Sequence, residues 1–255
     1  MAGELYSLDK LRSTLIRLED TILFALIERA QFALNQNIYE KGAIEFKGET
    51  GEKSFLEYCL SETEKIHAKV RSPDEYAFTS PLPEPILPPL QYDEFLYRNE
   101  INVNSVIMDM YIKYILPVIC KEEDDNNYGS SATKDIEALQ ALSKRIHFGK
   151  FIAESKFRSN PTEYIQLALA EDRKKIDELL TNKKVEEQVL ERLRRKALVY
   201  GQTLDEEQEG TSKHLRIPVE LVVDLYKRWV IPLTKEVEVD YLIIRGKAAA
   251  TEELK

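Results

Sequence analysis

The sequence is poor in the residues that build disulfide frameworks and metal sites. Its 255 residues include only two cysteines, Cys59 and Cys120, and three histidines. Both cysteines lie within apolar helical patterns, which predicts reduced core cysteines in a cytosolic protein. The cysteines and histidines show none of the spacings typical of zinc ligands. The composition therefore argues against a disulfide-stapled secreted domain and gives no indication of a zinc site.

Long apolar runs and an excess of positive charge are also absent. No run is long enough to span a bilayer, and the first residues, MAGELYSLDKLRS, lack the apolar core of a signal peptide. The net charge of −9 argues against nucleic acid or an anionic membrane as the main partner. We therefore expect a cytoplasmic protein, which could still hold a small anion if its inward-facing cations converge.

Helical periodicity dominates, whereas strand alternation, internal repeats and glycine-rich phosphate loops are lacking. This pattern predicts an all-α, multi-helix bundle with several long helices. We expect a single domain over residues 1–255, with the bundle at about 5–245 and a flexible tail at about 246–255. The predicted helices cover residues 7–34, 54–71, 104–120, 131–158, 161–170, 171–181, 184–199 and 218–245.

Prolines crowd the segment between the second and third predicted helices. They stand at positions 81, 83, 85, 88 and 89, too densely for a helix or a central strand. The segment could be a linker between two domains. We interpret residues 73–100 as a loop that crosses the surface of one bundle, because neither flanking part of the chain looks able to form a domain alone.

One polar pattern interrupts a helix face in the segment RIHFGKFIAESKF, residues 145–157. Arg145, Gly149, Ile152 and Lys156 follow at helical spacing, so the two cations share a face about 16 Å apart. Both side chains could reach one small ligand, and Gly149 would leave a hollow between them. The alternative is a helix whose surface cations form salt bridges.

Polar residues also interrupt apolar patterns elsewhere. Arg12 lies among leucines on the first helix and is a candidate to face inward, unless it snorkels at the edge of the core. Asn182 is a predicted N-cap. Glu186 follows one turn later, where it could instead serve the helix dipole.

Thr234 and Glu238 share a face of the last helix, and Pro232 bends that helix just before them. Apolar neighbours predict a partly buried carboxyl, although an exposed glutamate is the alternative. Burial favours the neutral carboxyl, which can donate a hydrogen bond. Together the interrupting residues predict a site that binds a small dianion and acts through position and charge, without a metal or a nucleophile.

Four segments carry a resemblance to a known family: LIRLEDTILFALIERAQF, SATKDIEALQALSKRIHFGKFIAESKF, VEEQVLERLRRKA and IPLTKEVEVDYL. They resemble the eukaryotic all-helical (AroQ-type) chorismate mutases of fungi and plants, over about residues 5–245. The resemblance implies an isomerase of the shikimate pathway that converts chorismate to prephenate by a Claisen rearrangement, toward phenylalanine and tyrosine. It also implies a homodimer with one site in each bundle, and no metal or cofactor.

The resemblance gives each of these residues a role. Arg12 and Arg145 match the arginines that bind the substrate carboxylates, for which a planar guanidinium is well suited. Lys156 and a protonated Glu238 match the donors to the breaking ether. Glu186 matches a catalytic residue near the substrate carboxylate and ring hydroxyl. The remaining substrate-binding matches are Asn182 and Thr234.

Regulation is the part of the family pattern from which this sequence departs. Many relatives are inhibited by tyrosine and activated by tryptophan at the dimer interface, and the matching positions are Arg71, Asn127, Gly129 and Ser130. The segment HAKVRSPDE lacks a second arginine beside Arg71, and Pro218 stands where regulated fungal relatives have a switch threonine. We therefore expect a weak or altered response to both amino acids.

Two alternatives stay open at this point. A non-catalytic helical scaffold or amino-acid sensor could have kept the fold, because a fold does not guarantee a function. A secreted mutase that acts on a host is the other, although the lack of a signal peptide argues against it. Every catalytic position holds the expected residue type, which favours the enzyme.

Overall fold

Helices make up nearly all the regular structure in the described part of the chain. The computed structural model describes residues 8–45, 52–70, 76–88, 94–201 and 217–253. No strand occurs within these ranges, so the predicted all-α class is confirmed. The α-helices, in chain order, are α1 Leu8–Arg29, α2 Phe55–Lys69, α3 Asn104–Met110, α4 Leu116–Ile119, α5 Tyr128–His147, α6 Gly149–Ser159, α7 Pro161–Leu169, α8 Arg173–Leu180, α9 Lys183–Tyr200, α10 Val219–Leu225 and α11 Ile231–Glu253.

Two buried apolar clusters hold these helices together. The larger cluster packs α1 against α5 and includes the π-helical segments described below. The smaller cluster joins α6, α7 and α8 to α11. Helix α11 contributes to both, with Leu233 and Val237 in the larger and Val239 and Leu242 in the smaller. The polar side chains of α11 therefore lie where the two clusters meet.

The predicted helix over 131–158 is divided in the structure at Phe148, which separates α5 from α6. Just before this point, the His147 Nδ1 lies 2.9 Å from the Ser143 carbonyl oxygen. Its Nε2 accepts from the Val103 N–H at 3.0 Å, which assigns the proton to Nδ1. Burial lowers the pKa of His147 to about 4, so this ring stays neutral.

Two π-helical segments, Tyr111–Ile115 and Tyr226–Val230, share one arrangement. Each ends two residues before a proline, Pro117 or Pro232, and the next N–H donates to a carbonyl five residues back. Proline cannot donate and clashes with the carbonyl four residues back. The wider π turn relieves that clash, so both helical runs continue past their prolines. The two segments touch through Tyr114 and Trp229, whose ring centroids lie 5.3 Å apart.

The ends of two helices differ from the prediction. Helix α1 ends at Arg29 rather than near residue 34, because the Arg29 side chain takes up the carbonyls of Phe32, Ala33 and Leu34. Helix α11 continues past the expected end at 245 and stays helical to Glu253. Gly246 lets it pass close to α7, since a Cβ there would lie 2.5 Å from the Ala168 Cβ. Residues 246–253 of the predicted tail are therefore part of a packed helix.

The described parts of the proline-rich segment, 76–88 and 94–103, contain no helix or strand. The Glu64 carboxylate of α2 anchors this segment, because it accepts from the N–H groups of Phe78 at 2.7 Å and Thr79 at 2.8 Å. Lys150 of α6 holds it from the other side, with Nζ 2.6 Å from the Ile101 carbonyl oxygen. Within the described ranges, every helix is too short or too polar to cross a membrane.

Candidate active site

Arg145, in the last turn of α5, is a buried cation with few partners. Its side chain is 5% exposed, and one terminal nitrogen donates to the Thr234 hydroxyl at 3.3 Å. Its Nε is buried and has no hydrogen-bond partner. The guanidinium lies over the ring of Tyr226, 5.8 Å from the centroid, which stabilises the charge in part. Most of the donor capacity of Arg145 is therefore available to a ligand.

Gly149 does not leave a hollow, contrary to the expectation from the sequence. A Cβ at this position would lie 2.9 Å from Thr234 Cγ2 and 3.0 Å from both Glu238 Cγ and the Thr234 carbonyl oxygen. The glycine instead lets α6 and α11 approach until their backbones nearly touch. This contact holds Thr234 and Glu238 next to the end of α5. The Thr234 hydroxyl donates back to the Val230 carbonyl oxygen at 2.6 Å, which fixes its orientation.

Glu238 is a buried carboxyl, one turn after Thr234. It is 8% exposed and has no hydrogen-bond partner among the described residues. Burial raises the pKa of Glu238 to about 7, although the positive charges of Lys156, Arg145 and Lys235 act in the opposite direction. A large fraction of this carboxyl is therefore protonated near neutral pH and can donate a hydrogen bond.

Lys156 lies two turns along α6 from Gly149 and is half-buried. Its Nζ donates to the carbonyl oxygen of Leu180, the last residue of α8, at 3.2 Å. Burial lowers the pKa of Lys156, and the nearby Glu238 carboxylate opposes that shift. Lys156 and Arg145 therefore both act electrostatically on Glu238.

Asn182 and Glu186 enter the site from the start of α9. Asn182 is the N-cap, with its side-chain oxygen 3.2 Å from the Val185 N–H, so the predicted cap is confirmed. The Glu186 carboxylate forms an ion pair with Lys235 of α11 at 2.7 Å. Glu186 is thus tied to the helix that carries Thr234 and Glu238, and its helix-dipole role is not its only one.

Arg12 lies at the edge of the site rather than within it. Its side chain is 59% exposed and faces Asp9, 3.5 Å away, so the inward orientation considered above is not observed. Arg12 is nevertheless close enough to Lys156 to lower the pKa of that amine. The guanidinium therefore stands at the mouth of the site, on a side chain long enough to turn inward.

The positions matched to an effector site lie at the opposite end of α5. Asn127 precedes its first turn, and Gly129 and Ser130 are exposed within that turn. A Cβ on Gly129 would meet nothing within 4 Å, so the surface there is open. The rise along α5 separates this end from Arg145 by about 25 Å. Arg71 lies outside the described residues.

An open cleft of about 530 Å³ shares Glu186 with the candidate site. Its wall includes Arg173 and Asp177 of α8, Glu186 of α9, and Pro232 and Lys235 of α11. Lys235 was not among the sequence candidates, because a lysine beside Thr234 looks like any solvated cation. Tyr226 was missed for a similar reason, since an aromatic at helical spacing usually belongs to the core.

Comparison with known proteins identifies the family. A family model described as chorismate mutase type II matches residues 127–239, which include most of the site. A chorismate mutase of Emericella nidulans is 48% identical over 263 residues, covering 98% of this chain and 97% of the relative. The chain belongs to the chorismate mutase family. The resemblance noted in the sequence is thereby confirmed.

Two solved structures from this family share the fold. The Aro7p chorismate mutase of Candida albicans, in complex with L-Trp, has a TM-score of 0.88 and 43% identity, covering 94% of this chain and 92% of that one. AtCM1, with tyrosine bound in its allosteric site, has a TM-score of 0.83 and 43% identity, covering 95% and 97%. Both support the helical architecture derived above for this chorismate mutase.

Proposed function

We propose that this chain catalyses the rearrangement of chorismate to prephenate, an intramolecular isomerisation in phenylalanine and tyrosine biosynthesis. The observation that carries the proposal is the buried carboxyl of Glu238 near Lys156 and Arg145, together with the unpartnered Nε of Arg145. A protein that needed Arg145 only for stability would pair that Nε, because an unsatisfied buried polar group costs about 1–3 kcal/mol. The free donors of Arg145 and a protonated Glu238 fit a dianionic ligand with a polar ether at its centre.

Each residue has a role that follows from its chemistry. Arg145 and Arg12 would bind the two substrate carboxylates, and Thr234 would orient Arg145. Lys156 and protonated Glu238 would donate to the ether oxygen, on which negative charge develops as the bond breaks. Asn182 and Glu186 would contact the ring hydroxyl and the nearby carboxylate.

Binding alone can accelerate a reaction of this kind. The rearrangement is unimolecular, so the site needs to hold the flexible substrate in its compact reactive conformer and to stabilise charge on the breaking ether. Arg12 would turn from Asp9 toward the substrate and close the mouth. We expect this closure to exclude water and strengthen the interactions of Lys156 and Glu238.

A prephenate-formation assay on the purified chain tests the proposal. We expect turnover by the wild type and a loss of about 10³-fold in Arg145→Ala, the scale of removing one partner of a buried, hydrogen-bonded charge pair. A folded wild type without turnover would instead support the alternative of a non-catalytic scaffold or amino-acid sensor. Circular dichroism of both proteins provides the control for folding.

Tyrosine and tryptophan are the effectors we propose, with a weak or altered response. Support comes from the ligands of the two solved structures, which are L-Trp and tyrosine. Arg71, Asn127, Gly129 and Ser130 would contact them, and the missing second arginine removes one bidentate contact. Initial rates with and without each amino acid test this point. Strong opposite effects of the two would contradict it.

The assembly we propose is a homodimer in the cytoplasm. Cys59 and Cys120 are free thiols, which fits a reducing compartment. Exposed apolar side chains at Ile66, Val70 and Ile86 fit a surface that a second copy covers. Sedimentation equilibrium would give twice the chain mass of 29.6 kDa if the dimer forms.

A further inference from the structure

Lys235 connects two parts of the site that the sequence leaves far apart. Its Nζ lies 2.7 Å from the Glu186 carboxylate and donates to the Thr181 hydroxyl at 2.8 Å. Thr181 and Glu186 flank the turn between α8 and α9, and Lys235 belongs to α11. One side chain therefore fixes the Asn182 turn against the helix of Thr234 and Glu238.

The environment of this ion pair differs from that of an ordinary surface salt bridge. The side chains of Lys235 and Glu186 are only 23% and 30% exposed. The Thr181 hydroxyl donates in turn to the Asp177 carbonyl oxygen at 2.8 Å, so it is oriented to accept from Lys235. The pair also forms part of the wall of the open cleft. The pair therefore lines an open space, and the Glu186 Oε1 within it is buried without a hydrogen-bond partner.

Lys235 also solves an electrostatic difficulty of the site. A dianion must bind beside the Glu186 carboxylate, in a chain whose net charge is −9. Lys235 neutralises that carboxylate at 2.7 Å while leaving it able to accept a hydrogen bond. Without the lysine, Glu186 would repel the substrate and could swing out into the cleft.

We propose that Lys235 is a positioning residue for substrate binding, which holds Glu186 neutralised and aimed at the ring hydroxyl of chorismate. This inference rests on the proposed mutase function. It predicts that Lys235 and Glu186 act as one unit. Charge loss at Lys235 should weaken substrate binding more than it slows the chemical step, because Glu186 contacts the hydroxyl in ground state and transition state alike.

The test is a double-mutant cycle in the prephenate assay with Lys235→Met and Glu186→Gln. We expect Lys235→Met to raise KM about tenfold with kcat changed less than about threefold, the scale of a hydrogen bond to a charged group. The double variant should be no worse than the poorer single variant, since each change removes the same interaction. Multiplying effects, or a fall in kcat at constant KM, would overturn the proposal.

Two further variants separate positioning from stability. Lys235→Arg keeps the charge and should recover most of the substrate affinity. Lys247→Met is the matched control, because Lys247 also joins α11 to the α7–α8 region through an ion pair, with Glu171, but away from the site. The control should change neither kcat nor KM. If both lysine variants lower the melting temperature equally and leave KM unchanged, Lys235 is only structural.

The pH profile supplies an independent readout. The charges that face Glu238 are those of Lys156, Arg145, Lys235 and Asp177, and Lys235 lowers its pKa. Lys235→Met should therefore move the alkaline limb of activity to higher pH, whereas Lys247→Met should leave it in place. A wild type that makes no prephenate would refute the proposed function as well, whereas an active wild type with unaffected variants would refute the role of Lys235 alone.

Discussion

Two buried arginines at the α1–α5 side of the bundle have opposite surroundings. Arg29 is completely buried, and its Nε lies 2.5 Å from the Asp135 carboxylate. Its remaining nitrogens donate to three carbonyls and the Tyr39 hydroxyl. Asp135 also accepts from the hydroxyls of Tyr39 at 2.7 Å and Tyr111 at 2.9 Å. Every polar group in this network has a partner.

Arg145 lies three turns further along α5 from Asp135. It is nearly as buried as Arg29 but has few hydrogen-bond partners. It has one side-chain hydrogen bond and an unpartnered Nε, and the neighbouring Tyr226 hydroxyl also lacks a partner. The contrast distinguishes a network that stabilises the fold from a site whose free donors can bind a ligand. Substitutions in the first should change stability, whereas substitutions in the second should change activity.

The largest stability effect is expected for Arg29→Met. The change leaves Asp135 buried and without its cation, which costs about 3–5 kcal/mol. The melting temperature should fall by roughly 10 °C for a chain of this size. Thermal unfolding followed by circular dichroism measures it. A variant as stable as the wild type would show that this network is not structural.

The matched substitution Arg145→Met should reduce activity much more than stability. Activity should fall about 10³-fold, because the cation that binds a substrate carboxylate is lost. The melting temperature should move by less than about 3 °C, since only one protein hydrogen bond is lost. Kinetics and thermal unfolding on the same preparation test both halves. A stability loss as large as that of Arg29→Met would remove the distinction.

Gly149→Ala should affect both properties, because this glycine holds the two helices of the site together. The added Cβ clashes with Thr234 and Glu238 and should cost about 1–3 kcal/mol. The displaced α11 should also lower kcat. Gly129→Ala on α5 is the stability control, since open space there predicts a gain of about 0.5–1 kcal/mol. Equal stability of both variants would contradict the close contact.

The smallest effect is a pH dependence carried by Glu238. The protonated carboxyl is the donor, and its pKa is about 7, so activity should fall about tenfold per unit above that pH. Glu238→Gln should flatten the profile. Because the pKa in the folded state lies above the ordinary value of 4.5, stability should also decline as pH rises between these values. A wild-type rate that stays constant to pH 8 would refute the donor role.

Much of the fold was predictable because local chemistry determines it. Ser54 caps α2, and Glu57 completes the capping box at 2.7 Å and 3.2 Å. Apolar periodicity located the long helices to within a few residues at most ends. The end of α1 was not predictable, because it depends on the Arg29 side chain, which bonds carbonyls in the folded bundle.

The site was predictable where polar residues interrupted apolar faces, as with Arg145 and Lys156. Its assignment to chorismate came from the family resemblance and not from spacing. Sequence spacing could not show that Gly149 serves a helix contact, because the helix it meets lies about 85 residues later in the chain. Lys235 was missed for the same reason, since its partners are on other helices.

The π-helical segment Tyr226–Val230 also determines which residues of its helical run face Arg145. Tyr226 and Thr234 both face Arg145, yet eight residues at about 100° each would turn them roughly 80° apart on a regular helix. The π turn absorbs one residue and brings the two faces back within about 20°. Loss of one residue between 226 and 230 would keep this register, but it would restore the clash of Pro232 with the carbonyl four residues back. The π turn therefore keeps Tyr226 and Thr234 on the same cation while the helix passes its proline.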